Sequence, residues 1–212
     1  MTSIQYPRIK NIIFDLGGVL LNINTLLSLE EFGRVSGIDQ QVLSKRLVNE
    51  QIFQKFDTGS INPAQFRSEL CRIMNIIVAD DVIDRAWNIL IQDFPSSRVK
   101  MLQELRKNYR IFLLSNTNAI HFDYYTKEFY EKYRFPMVDL FDQVFVSYEI
   151  GIHKPDAGIY THVLLNTDVK AGETLLIDDT LINIEAAALQ GIRGIHINGK
   201  DVTTYFENGK LK

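Results

Sequence analysis

The chain has 212 residues, of which 46% are hydrophobic and 23% charged, proportions that fit a folded globular protein and exclude disorder as its main state. The net charge of -3 leaves no excess of positive potential, and the lysines and arginines are scattered among acidic residues. The composition therefore argues against nucleic acid as a partner.

The single cysteine, Cys71, excludes an intrachain disulfide and a zinc site built from cysteines, which is typical of a reducing compartment. No apolar run approaches the roughly 18 residues of a membrane helix. The apolar run that begins at Ile12 is also too short for a signal peptide. We therefore expect a cytoplasmic protein with no membrane partner.

Short apolar segments along the chain predict buried β-strands, because each ends in small or polar residues. The segments are Ile12 to Phe14, Ile111 to Leu114, Val144 to Val146 and Leu175 to Ile177, with a fifth strand from Gly194 to Ile197. Helical patterns accompany them around Leu102, Val163 and Ala187. Strands that alternate with helices predict a doubly wound α/β fold, in which helices cover both faces of a mostly parallel sheet.

The segment 25–94 breaks this alternation, because it contains several helical patterns and no convincing strand. We predict an α/β core formed by residues 1–24 and 95–212, with 25–94 as a helical domain inserted after the first strand. Within the insertion, the run from Asp57 to Ser60 predicts a turn, and Pro63 predicts the start of a helix. The segment 201–212 is compatible with a short packed helix or a frayed tail.

Polar residues follow the predicted strands, at the edge of a parallel sheet where ligands bind. They are Asp15-Leu16-Gly17-Gly18-Val19, Ser115-Asn116-Thr117-Asn118 and Asp178-Asp179-Thr180, with Lys154 at the start of the helix after the third strand. Carboxylates such as Asp15 and Asp179 are ligands that Mg²⁺ prefers, and an aspartate can attack phosphorus. Lys154, Ser115 and the backbone N–H groups from Asn116 onward could bind phosphoryl oxygens.

Each motif alone also has a plainer interpretation. Asp15 could be a turn former, and Asp178 and Asp179 could cap the helix that follows them. Lys154 could be a solvated surface lysine. The occurrence of all the motifs together, each at a strand end, favours a site for a divalent cation and a phosphate.

In this order the motifs resemble those of the haloacid dehalogenase-like hydrolases, over Ile9 to about Gly194. The resemblance implies a Rossmann-like core with an inserted helical cap, and an enzyme that forms an aspartyl-phosphate. It implies that Asp15 is the nucleophile and a Mg²⁺ ligand, that the backbone carbonyl of Gly17 and the carboxylate of Asp179 complete the protein ligands, and that Asp178 acts indirectly or through water. Lys154 and Ser115 then match the phosphate-binding motifs.

Within the family, the sequence is similar to bacterial sugar-1-phosphate phosphatases, which include α-D-glucose-1-phosphate phosphatases. The similarity includes the turn from Asp57 to Ile61, which resembles part of the cap in that subgroup. It implies that the cap closes over the site and selects the substrate, with Phe56, Asp57 and Gly59 near that substrate. The alternative is that Phe56 is a core residue and the run from Asp57 to Gly59 only a turn.

The sequence departs from most phosphatases of the family at Gly17, where they carry a second aspartate that acts as general acid and base. Such a group is typically worth roughly 10²–10⁴-fold in rate. We therefore expect slower turnover or a preference for good leaving groups such as an anomeric phosphate. His121 or His153 could act in its place, although a lone histidine is more often structural.

We predict a Mg²⁺-dependent phosphatase that acts on a small soluble phosphomonoester, in particular a sugar phosphate. One alternative is a 2-haloacid dehalogenase, which also lacks the second aspartate but needs no metal. The adjacent Asp178 and Asp179 argue against it, because without a cation they would repel the charge of Asp15. Another alternative, which Gly17 favours, is a catalytically weak sensor of a phosphate ligand.

Overall fold

The computed structural model describes residues 9–212, so residues 1–8 of the predicted core lie outside the described residues. Within 9–212, a five-stranded parallel sheet has the strand order β3-β2-β1-β4-β5. The strands are β1 (Asn11–Phe14), β2 (Arg110–Ser115), β3 (Gln143–Val146), β4 (Thr174–Asp178) and β5 (Arg193–His196). Each predicted strand is confirmed, with its ends within one residue.

The middle of the sheet is buried on both faces, as the uninterrupted apolar runs predict. Ile13 on β1 is in register with Phe112 on β2 and Leu176 on β4. These three side chains pack on one face of the sheet, whereas Ile12 and Phe14 pack on the other. The predicted doubly wound α/β fold is therefore confirmed.

The segment after β1 contains helices that build a separate hydrophobic cluster. The helices are α1 (Thr25–Ser36), α2 (Gln40–Asn49), α3 (Ile52–Asp57), α4 (Pro63–Met74) and α5 (Asp80–Asn88). Pro63 starts α4 as expected, behind a capping box in which Asn62 and Gln65 bond to each other's backbone N–H. The cluster centres on Phe32, Phe66 and Trp87.

The chain enters and leaves this helical segment along two adjacent stretches of backbone. The N–H of Asn22 donates to the carbonyl of Asp93 at 2.8 Å, and that of Gln92 donates to the carbonyl of Asn22 at 2.9 Å. The N–H of Asn24 donates to the carbonyl of Leu90 at 2.8 Å. The two connections are thus tied to each other where the helical segment meets the sheet.

The remaining helices cover the two faces of the sheet. They are α6 (Ser96–Leu105), α7 (Ala119–Tyr133), the short α8 (Ser147–Ile150), α9 (Ala157–Thr167) and α10 (Leu181–Leu189). Residues of α6 and α7 join the cluster around Ile12, and those of α9 and α10 join the cluster around Ile13. Among residues 9–212, no helix combines the length and the apolar character of a membrane span.

The C-terminal segment is neither the packed α-helix nor the frayed tail that the sequence suggested. A 3₁₀ turn at Val202–Tyr205 leads into a hairpin of β6 (Phe206–Glu207) and β7 (Lys210–Leu211). Phe206 packs against Phe14 with ring centroids 6.1 Å apart, and the side-chain amide of Asn108 donates to the carbonyl of Gly209 at 2.9 Å. The segment therefore closes one edge of the core.

Candidate active site

Three carboxylates and one ammonium group meet at the carboxyl ends of β1 and β4. Nζ of Lys154 lies 2.8 Å from Oδ1 of Asp15 and 2.7 Å from Oδ2 of Asp178. Carboxylate oxygens of Asp15, Asp178 and Asp179 all lie within 4.8 Å of one another. The structure thus brings together the predicted nucleophile, the predicted lysine and both predicted acidic residues, and Lys154 is buried there rather than solvated.

Asn116 positions the loop that carries Lys154. Its side-chain amide donates to the carbonyl of Lys154 at 2.8 Å, and its Oδ1 accepts from the N–H of Lys154 at 2.8 Å. This reciprocal pair joins the end of β2 to the segment before α9. Because the side chain of Asn116 is engaged in this way, the phosphate contact predicted for this residue would come from its backbone N–H.

Asp178 is fully buried and heavily hydrogen-bonded. Its carboxylate accepts from Nδ2 of Asn183 at 3.0 and 3.2 Å, from the N–H of Thr180 at 2.8 Å and from Lys154. Asp178 thus contacts the start of α10 through Thr180 and Asn183, but the N-cap residue of that helix is Thr180 and no side chain caps it, so the capping interpretation is wrong. A carboxylate with these partners is suited to holding Lys154 in place.

Asp179, by contrast, is exposed. Although the residue is exposed overall, partial desolvation of its carboxyl and the charge of Asp178 raise the pKa of Asp179. Gly18 has a φ of +73° and passes so close that a Cβ atom there would collide with Oδ2 of Asp179. Asp178 and Asp179 lie at one strand end, and Gly18 lets the loop after β1 pack against Asp179 because it has no side chain. The resulting group of oxygen atoms fits Mg²⁺.

Opposing effects of burial and neighbouring charges set the pKa of Asp15. Burial raises its pKa from 3.8 to about 6, Lys154 opposes the rise, and the charge of Asp178 adds to it. The carboxylate therefore remains largely ionised at neutral pH, as a nucleophile must be, but it sits among like charges. A divalent cation between Asp15 and Asp179 would relieve that repulsion.

A side chain at position 17 would require a small shift of Ile23. A Cβ atom added to Gly17 would lie 3.1 Å from Cδ1 of Ile23. Gly17 lines a cavity of about 80 Å³, which we call the strand-end cavity. Its other lining residues are Leu16, Leu21, Ile23, Leu90, Ile91, Ser115, Asn116, Thr117, His121 and Tyr125. The predicted phosphate ligand Ser115 thus faces the same space as Gly17.

Asn118, which caps α7, connects the helical segment to the strand ends. Its Nδ2 donates to Oδ1 of Asp57 at 2.9 Å, and its Oδ1 accepts from Nε1 of Trp87 at 3.3 Å and from the N–H of His121 at 3.1 Å. The partners Asp57 and Trp87 are too distant from Asn118 in sequence for local patterns to reveal these contacts.

The three residues predicted near the substrate lie in different environments. Phe56 is buried and stacks on Phe66 with centroids 4.1 Å apart, so its ring belongs to the core of the helical segment. Asp57 reaches Asn118 at the rim of the site. Gly59, with a φ of +65°, packs so tightly on the carbonyl of Tyr148 that a Cβ atom there would collide with it.

Neither histidine replaces the missing aspartate in an obvious way. His121 stacks on Trp87, donates from Nε2 to the carbonyl of that residue at 3.1 Å, and lies with Nδ1 3.3 Å from Nδ2 of Asn118. Burial lowers the pKa of His121 to about 4, so the ring is neutral and has no acidic proton to give near pH 7. Nδ1 of His153 lies 2.7 Å from the carbonyl of Lys154, within its own loop.

Comparisons with known proteins agree with this arrangement. The family model of the haloacid dehalogenase-like hydrolases matches residues 9–191. The chain is 27% identical over 176 residues to a D-ribitol-5-phosphate phosphatase of Bacteroides thetaiotaomicron, covering 83% of this chain and 85% of that protein. It is 28% identical over 195 residues to a sesquiterpene phosphatase of Aspergillus oryzae, covering 89% of each. A haloacid dehalogenase family enzyme of Bacteroides thetaiotaomicron, in complex with magnesium and inorganic phosphate, has a TM-score of 0.82 and 34% identity, covering 88% of this chain and 93% of that one.

Replacement of the buried lysine tests the charge balance of the cluster. In Lys154→Met, Asp15 and Asp178 face each other without the ammonium, so we expect a loss of about 3 kcal/mol in the free energy of unfolding near pH 8. Part of the loss should be recovered near pH 5.5, because protonation of Asp15, whose pKa burial raises to about 6, removes the repulsion. Urea unfolding in EDTA measures both values. Lys107→Met, at an exposed pair with Glu104, is the control, and a loss that grows at low pH would contradict the account.

Asp57 offers a second pH test. Burial raises its pKa from 3.8 to about 6, so ionisation costs folding free energy as the pH rises through this window, and the cost persists above it. Asp57→Asn keeps an oxygen for Asn118 and removes the charge. We expect the variant to gain about 1 kcal/mol over wild type near pH 7 and nothing near pH 4, measured by urea unfolding. The exposed Asp123→Asn should show no such difference, and a less stable Asp57→Asn protein near pH 7 would refute the prediction.

Proposed function

The chain belongs to the haloacid dehalogenase-like hydrolases, and we propose that it is a Mg²⁺-dependent phosphatase of a small phosphomonoester, in particular a sugar or sugar-alcohol phosphate. The observation that carries the proposal is the cluster in which Lys154 pairs with both Asp15 and Asp178 while Asp179 lies within 4.8 Å. The relatives named for phosphatase activity support it.

In the proposed reaction a carboxylate oxygen of Asp15 attacks phosphorus. The bond from phosphorus to the ester oxygen breaks, and that oxygen leaves with the electron pair and takes a proton from solvent. Water then attacks the phosphorus of the aspartyl-phosphate, which releases inorganic phosphate and restores Asp15. Asp15, Asp179 and the carbonyl of Gly17 would hold Mg²⁺, which would supply positive charge against the phosphoryl oxygens.

Lys154 and Ser115 prepare the site for the phosphoryl group. Lys154 adds a fixed positive charge beside the nucleophile, and its pairing with Asp178 and Asn116 keeps it there before the substrate binds. Ser115 is buried at the end of β2 and can donate a hydrogen bond to a phosphoryl oxygen. Such preorganised groups stabilise the transition state without reorganisation at the moment of reaction.

We further propose that 25–94 is a cap that selects the substrate. The separate hydrophobic cluster of these helices and the paired connections at Asn22 and Gln92 support a unit that sits on the sheet as one body. Asp57 and Gly59 meet the rim of the site, whereas Phe56 supports them from the cap interior. We also propose that the protein acts in the cytoplasm, because its single cysteine, Cys71, is free, which is typical of proteins in a reducing compartment.

The dehalogenase alternative is disfavoured by charge. Asp178 and Asp179 both lie within 4.8 Å of Asp15, so a metal-free nucleophile would work against two neighbouring carboxylates. The sensor alternative rests on Gly17. Its discriminating result is binding of Mg²⁺ and phosphate without release of phosphate from any ester.

Phosphate release tests the proposal. We expect wild type to release phosphate from ribitol 5-phosphate, glucose 1-phosphate and p-nitrophenyl phosphate with Mg²⁺ and not with EDTA, and Asp15→Asn to lose at least about 10³-fold of kcat. Asp123→Asn, an exposed aspartate, is the matched control. An Asp15→Asn protein that retains activity, or halide release from 2-chloropropionate in place of phosphate release, would refute the proposal.

A further inference from the structure

Tyr125 carries a buried hydroxyl group that makes no well-formed hydrogen bond, although it interacts with the side chain of Thr117. The residue lies on α7 and is only 4% exposed. Within residues 9–212, its hydroxyl and Oδ1 of Asn88 are the buried side-chain oxygens or nitrogens with no hydrogen bond. An unsatisfied buried polar group costs about 1–3 kcal/mol, so such groups are rare and need an explanation.

Tyr125 lines the strand-end cavity. Gly17, two residues after the predicted nucleophile Asp15, and the predicted phosphate ligand Ser115 also line it. The cavity of about 80 Å³ has room for a water molecule or a few atoms of a bound ligand. A group that enters this space would find the hydroxyl ready to donate.

The surroundings keep this hydroxyl protonated. Burial raises the pKa of Tyr125 above its usual value of 10.0, Thr117 opposes the rise, and the charges of Tyr148 and Asp15 add to it. Tyr125 is therefore a hydrogen-bond donor that does not ionise near neutral pH.

Two other side-chain donors near the cavity are committed elsewhere, and the hydroxyl of Thr117, which also lines it, interacts with Tyr125 itself. The amide of Asn116 is bonded to Lys154, and the Nε2–H of His121 is bonded to the carbonyl of Trp87. Position 17, where an acidic side chain would reach the ester oxygen, is a glycine with Ile23 packed against it. The ester oxygen of a bound substrate would thus lack a donor from that position.

We propose that the hydroxyl of Tyr125 donates a hydrogen bond to the ester oxygen of the substrate as the bond to phosphorus breaks. The inference rests on the proposed phosphatase function and deepens it. Tyr125 keeps its proton, and the departing alkoxide takes its proton from water, so the tyrosine stabilises developing charge without transferring a proton. Such help matters for esters of aliphatic alcohols, which are poor leaving groups, and little for aryl phosphates.

Tyr125→Phe tests the inference, because it removes only the hydroxyl. We expect kcat/KM for ribitol 5-phosphate to fall about tenfold and that for p-nitrophenyl phosphate to change less than about twofold, since a hydrogen bond to developing charge is worth a factor of this size. The loss should appear in kcat rather than KM. Tyr124→Phe, on the same helix but outside the cavity, should leave both values unchanged.

Several results would overturn the inference. Equal losses for the two substrates, or no loss, in a folded Tyr125→Phe protein would refute it alone, because the phosphatase function would stand. A Tyr125→Phe protein that fails to fold, judged by its circular dichroism spectrum and thermal unfolding, would assign the hydroxyl a structural role and refute it equally. Absence of phosphate release by wild type from both substrates would remove the proposed function and this inference together.

Discussion

The buried ammonium of Lys154, held between Asp15 and Asp178, is the interaction on which the site depends. Asp15 and Asp178 follow neighbouring parallel strands, so the topology forces their charges together, and burial makes that costly. Lys154 offsets part of the cost and in turn requires Asn116 to hold its loop. The remaining negative charge, concentrated at Asp15 and Asp179, suits a divalent cation, which explains why one cluster can serve metal and phosphate.

The proposed cap contacts the strand ends at a second polar centre, around Asn118. The side chain of Asn118 accepts a hydrogen bond from the indole N–H of Trp87 on α5 and donates one to the carboxylate of Asp57 on α3. Asn118 also caps α7, which follows the predicted phosphate-binding residues. A movement of the proposed cap would break these hydrogen bonds just after Ser115, the last residue of β2. The position of the proposed cap is therefore linked to the arrangement of the residues after β2. The link follows because a buried polar network loses stability when one of its members is left without a hydrogen bond.

Local sequence patterns predict much of this structure. The apolar runs that end in Asp15, Ser115 and Asp178 predicted both the strands and the residues at their ends, because parallel strands place those residues at one edge. Other features depend on contacts between distant segments. Asn118 meets Asp57 and Trp87 only in the folded chain, and the buried hydroxyl of Tyr125 is visible only once the helix is packed. The C-terminal hairpin did have a local signal, the Asn208-Gly209 pair with positive φ at both residues, which is typical of tight turns.

The most direct test of the account is chemical identification of the nucleophile. The enzyme is mixed with a sugar phosphate and Mg²⁺, quenched with acid during turnover and reduced with borohydride, which converts an aspartyl-phosphate to homoserine. Peptide mass spectrometry then locates the reduced residue. The account predicts homoserine at position 15 in wild type and none there in Asp15→Asn. Turnover with position 15 unmodified, or modification of another carboxylate, would contradict it.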